Sequence, residues 1–387
     1  MNSEKLLNEI ISWYPKKELP ININEPLISS SDIDAVIKTL DDNWVSTAGP
    51  IVNEFEKSIS KVFDGIESVA VNSGTSALHL AIQSLDISNE DQIITTPLTF
   101  VAPLNAIKYV GAEPLFIDIS LEDLSIDLDL LEEYANKFFD YKNGMVFDKN
   151  TERTVKAVLV VDVFGTIGKI KEYRKFCDKF ELKLIVDSAE SLGSKRNDHT
   201  SAKYSDITTT SFNGNKIVTS GSGGAIISKD KELLNKIRHL STTANIASDK
   251  YSYFHDSVGF NYRLAALNAS LGNSQIKLIE QKVNLYRKIH ENYSNLVDSS
   301  EGIKIFKEPK GSYSNYWLNL FILDDKISNN DKESLLLNLN KEGIGSRNVW
   351  SPLYDLPYVK KNNNLKYPNT ELIYSQGFNL ASTPKIL

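Results

Sequence analysis

Between Glu67 and Lys229, short β-branched runs alternate with stretches of helical spacing. Ser68 to Val71 precedes a helical pattern from Thr75 to Leu85, and Gln92 to Thr96 precedes one from Phe100 to Val110. That rhythm predicts βαβ units around a mostly parallel sheet. Pro114 to Asp118, Val155 to Val163, Lys183 to Asp187 and Ala225 to Ser228 continue the series as buried strands, most of them ending in polar or glycine-containing loops. Open α/β sheets bind ligands outside such strand ends.

Beyond Asn268 the pattern changes. Lys277 to Leu296 reads as a long amphipathic helix, with Ile279, Val283, Tyr286, Ile289, Tyr293 and Leu296 at helical spacing. A strand from Tyr316 to Leu323, a helix from Asp331 to Glu342 stopped at Gly343, and a proline-punctuated tail follow. Ser328-Asn329-Asn330 and Asn362 to Asn364 read as solvated loops. The expected organisation is a large domain over residues 1–268 and a small α+β domain over 269–387, joined by the long helix. A length of 387 residues agrees, since single cores usually divide beyond about 250–300 residues.

A net charge of −7 offers no electrostatic footprint for nucleic acid or an anionic membrane, although a local basic pocket could still hold a phosphate. One cysteine, Cys177, excludes an internal disulfide, and it reads as a small buried hydrophobe. The start of the chain has no signal-peptide apolar run, and Ala157 to Phe164, broken by Asp162, is too short to span a bilayer, so a cytoplasmic enzyme is expected.

Three segments could carry chemistry. Asn72-Ser73-Gly74-Thr75-Ser76 lies where a strand turns into a helix, and free N–H groups with the helix dipole make that terminus an anion site. The plain alternative is that Ser73, Thr75 or Ser76 only caps the helix; His79, further on, reads as a packed histidine. Asp187 ends an apolar strand and could hold a protonated pyridine nitrogen, or serve as a metal ligand, a cap or a turn residue; no metal-ligand spacing supports the metal. Lys216, in Ser211-Phe212-Asn213-Gly214-Asn215-Lys216, could form an imine with an aldehyde cofactor if its amine is partly neutral. Most lysines are solvated surface charges, but here glycines allow close backbone approach and Ser211 offers a second phosphate donor. No GxGxxG or GxxxxGK pattern is present, which excludes nicotinamide and nucleotide-hydrolysis readings. Together the segments suit pyridoxal phosphate: an anchor at Thr75 and Ser211, an acid for the ring nitrogen at Asp187, and at Lys216 an imine lysine that then moves the Cα proton.

With these motifs the chain resembles the DegT/StrS-type (DegT/DnrJ/EryC/StrS) family of nucleotide-sugar aminotransferases. The resemblance also rests on Trp44 to Pro50 with Phe55-Glu56, on Thr96 to Ala102, and on Val258-Gly259-Phe260-Asn261-Tyr262-Arg263-Leu264. It implies an aspartate-aminotransferase-like, type I α/β fold. It implies that Phe100 stacks on the pyridine ring, that Asp187 meets its nitrogen, and that Gly74, Thr75, Ser76 and Ser211 surround the phosphate. Glu190 stands where many members have Gln beside the phenolic oxygen. Asn261 would reach the phosphate from the other subunit of a homodimer. Lys216 stands where dehydratase relatives have His, which favours amino transfer.

Asp187 to Ser194, Ser211 to Lys216, His239 to Ala244 and Ser314 to Asn319 most resemble a subgroup from legionaminic-acid-type surface-sugar pathways. The resemblance implies transfer of glutamate's amino group to the 4-keto group of a nucleotide-linked 6-deoxy-4-keto-N-acetylhexosamine. Asn213, Arg347 and Trp350 are the candidates for substrate contact. The alternatives are a 3-ketosugar aminotransferase and a non-catalytic pyridoxal-phosphate-binding regulator.

Overall fold

A computed structural model describes residues 3–16, 19–142, 144–246, 254–360 and 365–384. The expected loop at Asn362 to Asn364 lies outside them. The main sheet has nine strands: β1 (Ser68–Val71), β2 (Asp91–Thr95), β3 (Glu113–Phe116), β4 (Phe139–Lys142), β5 (Met145–Asp148), β6 (Arg153–Val161), β7 (Lys183–Asp187), β8 (Ile207–Ser211) and β9 (Gly224–Ile227). Seven run in the order β1-β9-β8-β7-β6-β2-β3, while β4 and β5 form a hairpin on β6. The run from β8 through β3 is parallel, and β9 alone is inserted antiparallel between β8 and β1. The mostly parallel sheet expected from the alternating pattern is therefore present.

β8 escaped the sequence pattern because Ile-Thr-Thr-Thr-Ser is polar by composition. Its threonines are nonetheless wholly buried, and β-branching suits them to a strand. Helix Ala266–Ile276 escaped for the opposite reason: it has no amphipathic stripe. It packs against both Ser30–Asp41 and Pro50–Val62, so polar and small residues line contacts on more than one side. Ser270 donates to the Ala35 carbonyl at 2.7 Å, and Ser58 donates to Asn273 at 2.7 Å. A Cβ at Gly272 would come within 2.6 Å of the Phe55 ring, so helix and ring meet at a distance only glycine allows.

A second sheet of four antiparallel strands, β10 (Ile303–Ile305), β11 (Asn319–Leu323), β12 (Ser346–Asn348) and β13 (Gly377–Leu380), runs in the order β10-β11-β13-β12. The long helix forms as Ile279–Asp298 and joins the two sheets. The expected boundary at residue 268 cuts helix Ala266–Ile276, which packs with the large unit; we propose Lys277-Leu278, between the two helices, as the division. Residues 1–268 as the large unit include the N-terminal segment, which forms helix Ser3–Ser12. That helix instead shares a core with the small sheet, where Leu6, Ile10 and Tyr14 pack with Tyr293, Phe321 and Phe378. Ser328-Asn329-Asn330 is exposed, as expected for a solvated segment, but begins a helix: Ser328 caps Asn329–Lys341 by accepting the Asp331 N–H at 3.2 Å. Cys177 is buried as expected, and burial pushes its thiol up to about 12.

β1 is an edge strand, and its outer side is closed by a side chain. Glu56, buried on helix Pro50–Val62, accepts the Ala70 N–H at 2.9 Å and both terminal nitrogens of Arg238 at 3.1 and 2.8 Å. An edge N–H left alone there would be buried without a partner. Replacing Glu56 by Ala should lower the free energy of unfolding by about 2 kcal/mol, with Glu56→Gln costing less, as read from urea denaturation.

Candidate active site

The carboxyl ends of β7 and β8, the turn after β1 and a segment of the small unit converge on one cavity of about 300 Å³. Its walls include Gly74, Thr75, Phe100, Asp187, Glu190, Ser211, Asn213, Lys216, Arg347 and Trp350. Ten of the residues singled out from sequence thus share one space, although they span 277 positions of chain, from 74 to 350. Ser76 and Asn261 do not line it.

The turn after β1 explains Ser76. Ser73 is the cap of helix Gly74–Ser84: its oxygen accepts the Ser76 N–H at 3.0 Å, and the two hydroxyls lie 2.8 Å apart. The capping alternative therefore holds for Ser73, and Ser76 is engaged with it. Thr75 is left facing the cavity beside the open helix N-terminus. Asn261 lies on an exposed stretch, where its carbonyl accepts from Asn72 Nδ2 at 3.3 Å. His79 packs edge-on against Tyr109, Phe260 and Tyr262, as its packed reading expected.

The backbone around the helix terminus is drawn in tightly. A Cβ at Gly74 would stand 2.8 Å from the Ser211 Cβ, and one at Gly224 would stand 2.4 Å from the Ser73 carbonyl oxygen. Ser211, Thr75 and the first turn of the helix line the same cavity, and hydroxyls beside free N–H groups are a donor set that suits a phosphate. Phe100, 52% exposed in the single chain, forms a wall of the same cavity.

The rest of the lining includes ionic groups. Asp187 ends β7, where its Oδ1 accepts the Ala189 N–H at 2.9 Å. Burial pushes its carboxyl up to about 7, against the pull of that N–H and of Lys216. Glu190 accepts the Phe164 N–H at 2.8 Å, and burial raises its carboxyl also. Phe164 sits at φ 56°, a left-handed conformation that costs a bulky residue energy. Its N–H bond to Glu190 and its ring, stacked on Trp350 at 4.8 Å, hold it there. The Lys216 Nζ lies 3.7 Å from Glu190 Oε1, and burial lowers its basicity while Glu190 and Asp187 oppose that effect. Arg347, from β12, is likewise made less basic by burial with Glu190 opposing. Two cations and two carboxylates thus face one space.

Asp162, buried behind the Asp187 loop, accepts the hydroxyls of Ser188, Ser191 and Ser201 at 2.9, 2.7 and 2.6 Å. It is pushed up to about 6 by burial. The polar residue that seemed only to interrupt an apolar run is the anchor of the loop that carries Asp187 and Glu190.

Sequence reading missed Trp317 as a site residue. It was placed in a strand from Tyr316, but β11 starts at Asn319, and residues 314–318 form a segment that crosses onto the large unit. There Asn315 donates to the carbonyls of Glu190 and Leu192, both at 2.9 Å. The Trp317 ring faces Lys216 Nζ at 3.8 Å and its Nε1–H donates to the Asn215 carbonyl at 2.8 Å. A strand pattern read from spacing alone gives no sign of such a latch; the Ser-Asn pair at 314–315, able to bond backbone, was the only local signal.

A sequence model of the DegT/DnrJ/EryC1/StrS aminotransferase family matches residues 26–387. The chain belongs to that family. Its members use pyridoxal phosphate, and the donors, the buried acid and the largely buried amine of this cavity fit that cofactor. The chain is 30% identical to the GDP-perosamine synthase of Vibrio cholerae over 94% of each sequence. It is 32% identical to a UDP-4-amino-4,6-dideoxy-N-acetyl-β-L-altrosamine transaminase of Campylobacter jejuni, over 86% of this chain and 84% of that one. Among solved structures it is similar in fold to PseC of Helicobacter pylori, an aminotransferase involved in the biosynthesis of pseudoaminic acid, with a TM-score of 0.83, 23% identity and coverage of 94% and 93%. The type I aminotransferase fold implied by the resemblance is the fold observed.

The raised carboxyl of Asp187 has a sign that can be tested in cofactor-free protein. A group protonated more readily when folded than when unfolded adds stability below its ordinary value of 3.8, and that stability is lost as pH rises toward about 7. Asp187→Asn should therefore raise the melting temperature of the cofactor-free protein by several degrees at pH 8 and leave it nearly unchanged at pH 4.

Proposed function

We propose that this protein is a nucleotide-sugar aminotransferase that moves the amino group of glutamate to the 4-keto group of a nucleotide-linked 6-deoxy-4-keto-N-acetylhexosamine, for surface-glycan synthesis in the cytoplasm. The observation that carries the amino-transfer reading is the largely buried Lys216 amine, facing Glu190 and Asp187 in a cavity that a helix N-terminus also lines. The names of both sequence relatives concern nucleotide sugars, and one is of a 4-amino-4,6-dideoxy-N-acetyl sugar. They differ in nucleotide, and the 4-amino position in the second name supports the regiochemistry proposed.

Thr75, Ser211 and the N–H groups beside Gly74 would hold the cofactor phosphate, Phe100 would cover its ring and Asp187 would meet the ring nitrogen. When bound, pyridoxal phosphate supplies an aldehyde for an amine and a ring that withdraws electrons from the adjacent carbon. The chain's own residues then have defined tasks. Asp187, isolated from water, keeps a proton on its partner nitrogen by a charge-assisted hydrogen bond. Lys216, less basic than a solvated lysine, has a neutral fraction able to take a proton at Nζ from the donor's α-carbon and later return one to the sugar carbon. Glu190 faces the resulting ammonium at Nζ. Asn213, Arg347 and Trp350 also line the cavity; Arg347 would meet the donor carboxylate or the sugar nucleotide. Asn261, exposed in the single chain, would complete the phosphate site of a second copy in a homodimer.

Incubating the protein with pyridoxal phosphate, glutamate and matched 3-keto and 4-keto nucleotide sugars tests the proposal. 2-Oxoglutarate and a 4-amino sugar are expected, with ping-pong kinetics and no turnover for Lys216→Ala. Amination at C3 alone, or no turnover with any ketosugar, would sink it. Arg347→Ala should raise the KM of one of the two substrates about tenfold, as expected for loss of a charge-assisted contact.

A further inference from the structure

Three charged groups face the Lys216 amine: Asp187 and Glu190 from the loop after β7, and Arg347 from β12. A fourth neighbour is uncharged. The Trp317 indole presents its face to Nζ at 3.8 Å from the ring centroid. The ring is 2% exposed and held from two directions. Its Nε1–H is bonded to the carbonyl of Asn215, the residue next to the lysine. Its backbone N–H donates to Asn315 Oδ1 at 2.8 Å, and the amide of that same side chain binds the carbonyls of Glu190 and Leu192. The lysine loop, the Glu190 loop and the indole therefore form one interlocked unit, although the indole comes from the small unit of the fold.

An aromatic face attracts a cation, tryptophan most strongly, and the attraction is larger where water is excluded. We propose that Trp317 is a positioning residue for Lys216: its ring face seats the lysine ammonium beside Glu190 whenever the amine is free of cofactor. This rests on Lys216 being the cofactor-bearing, proton-moving lysine. In the proton transfer the donor's Cα–H bond breaks, its electron pair stays with the carbon, and an N–H bond forms at Nζ. The new cation arises against the indole. A third carboxylate in that place would hold the proton more firmly and slow its return to carbon. A ring stabilises the ammonium without adding a negative charge, and it confines Nζ to one side of the cavity.

The test uses cofactor-stripped protein. Trace acetylation with acetic anhydride across a pH series, with the Lys216 peptide quantified by mass spectrometry, reports the apparent pKa of that amine in the wild type, Trp317→Phe, Trp317→Met and Trp317→Leu. The expected result is a graded fall, smallest for Phe and about one unit for Leu and Met. The pH profile of the half-reaction with glutamate should shift in the same direction. A Leu or Met variant that melts cooperatively yet labels with the wild-type pH dependence would overturn the proposal. So would equal shifts in Phe, Met and Leu, which would mark lost packing rather than a lost ring face. Acetylation requires neither cofactor nor sugar, so the seat is tested independently of the function: a wild type without aminotransfer would sink the functional reading while the labelling series still decides the role of Trp317.

Discussion

The site depends on keeping an amine and two carboxylates out of water together. Burial alone would neutralise each: it raises Asp187 and Glu190 and lowers Lys216. The attraction between the amine and the carboxylates opposes this, and the balance leaves a lysine less basic than a solvated one beside carboxyls that hold a proton more readily than usual. That is the condition a proton-moving lysine needs, and much of the surrounding structure maintains it. Asp162 with its three serine hydroxyls holds the acidic loop from behind, Phe164 accepts a strained backbone conformation to give Glu190 an N–H, and Asn315 ties the loop to the small unit.

The fold contributes the convergence. Parallel strands β7 and β8 end side by side, so Asp187 and Ser211 face one crevice. The antiparallel insertion of β9 brings Gly224 against the Ser73 carbonyl and closes the turn at the helix N-terminus. The small unit then covers the cavity with Trp317, Arg347 and Trp350. Neither unit holds the whole site, so the packing between them is part of the chemistry.

Strands, helices and most of the cavity wall were legible in the sequence because they obey local rules. Asp187 and Lys216 lie where an apolar run ends or glycines cluster. What was not legible depends on distance in the chain. β8 is hidden by polar threonines that only a buried neighbour makes plausible, and helix Ala266–Ile276 by contacts on more than one side that erase its stripe. Trp317 is found only once the segment before β11 is seen crossing to the large unit. The packing of helix Ser3–Ser12 on the small sheet was not legible either, since its apolar residues carry no label for their partner.

The most direct test of the central claim is the attachment point of the cofactor. Protein saturated with pyridoxal phosphate, reduced with borohydride and digested, should yield a single phosphopyridoxyl-modified peptide bearing its label on Lys216. A label on another lysine, or no label after saturation, would contradict the account of this cavity as the aminotransferase site.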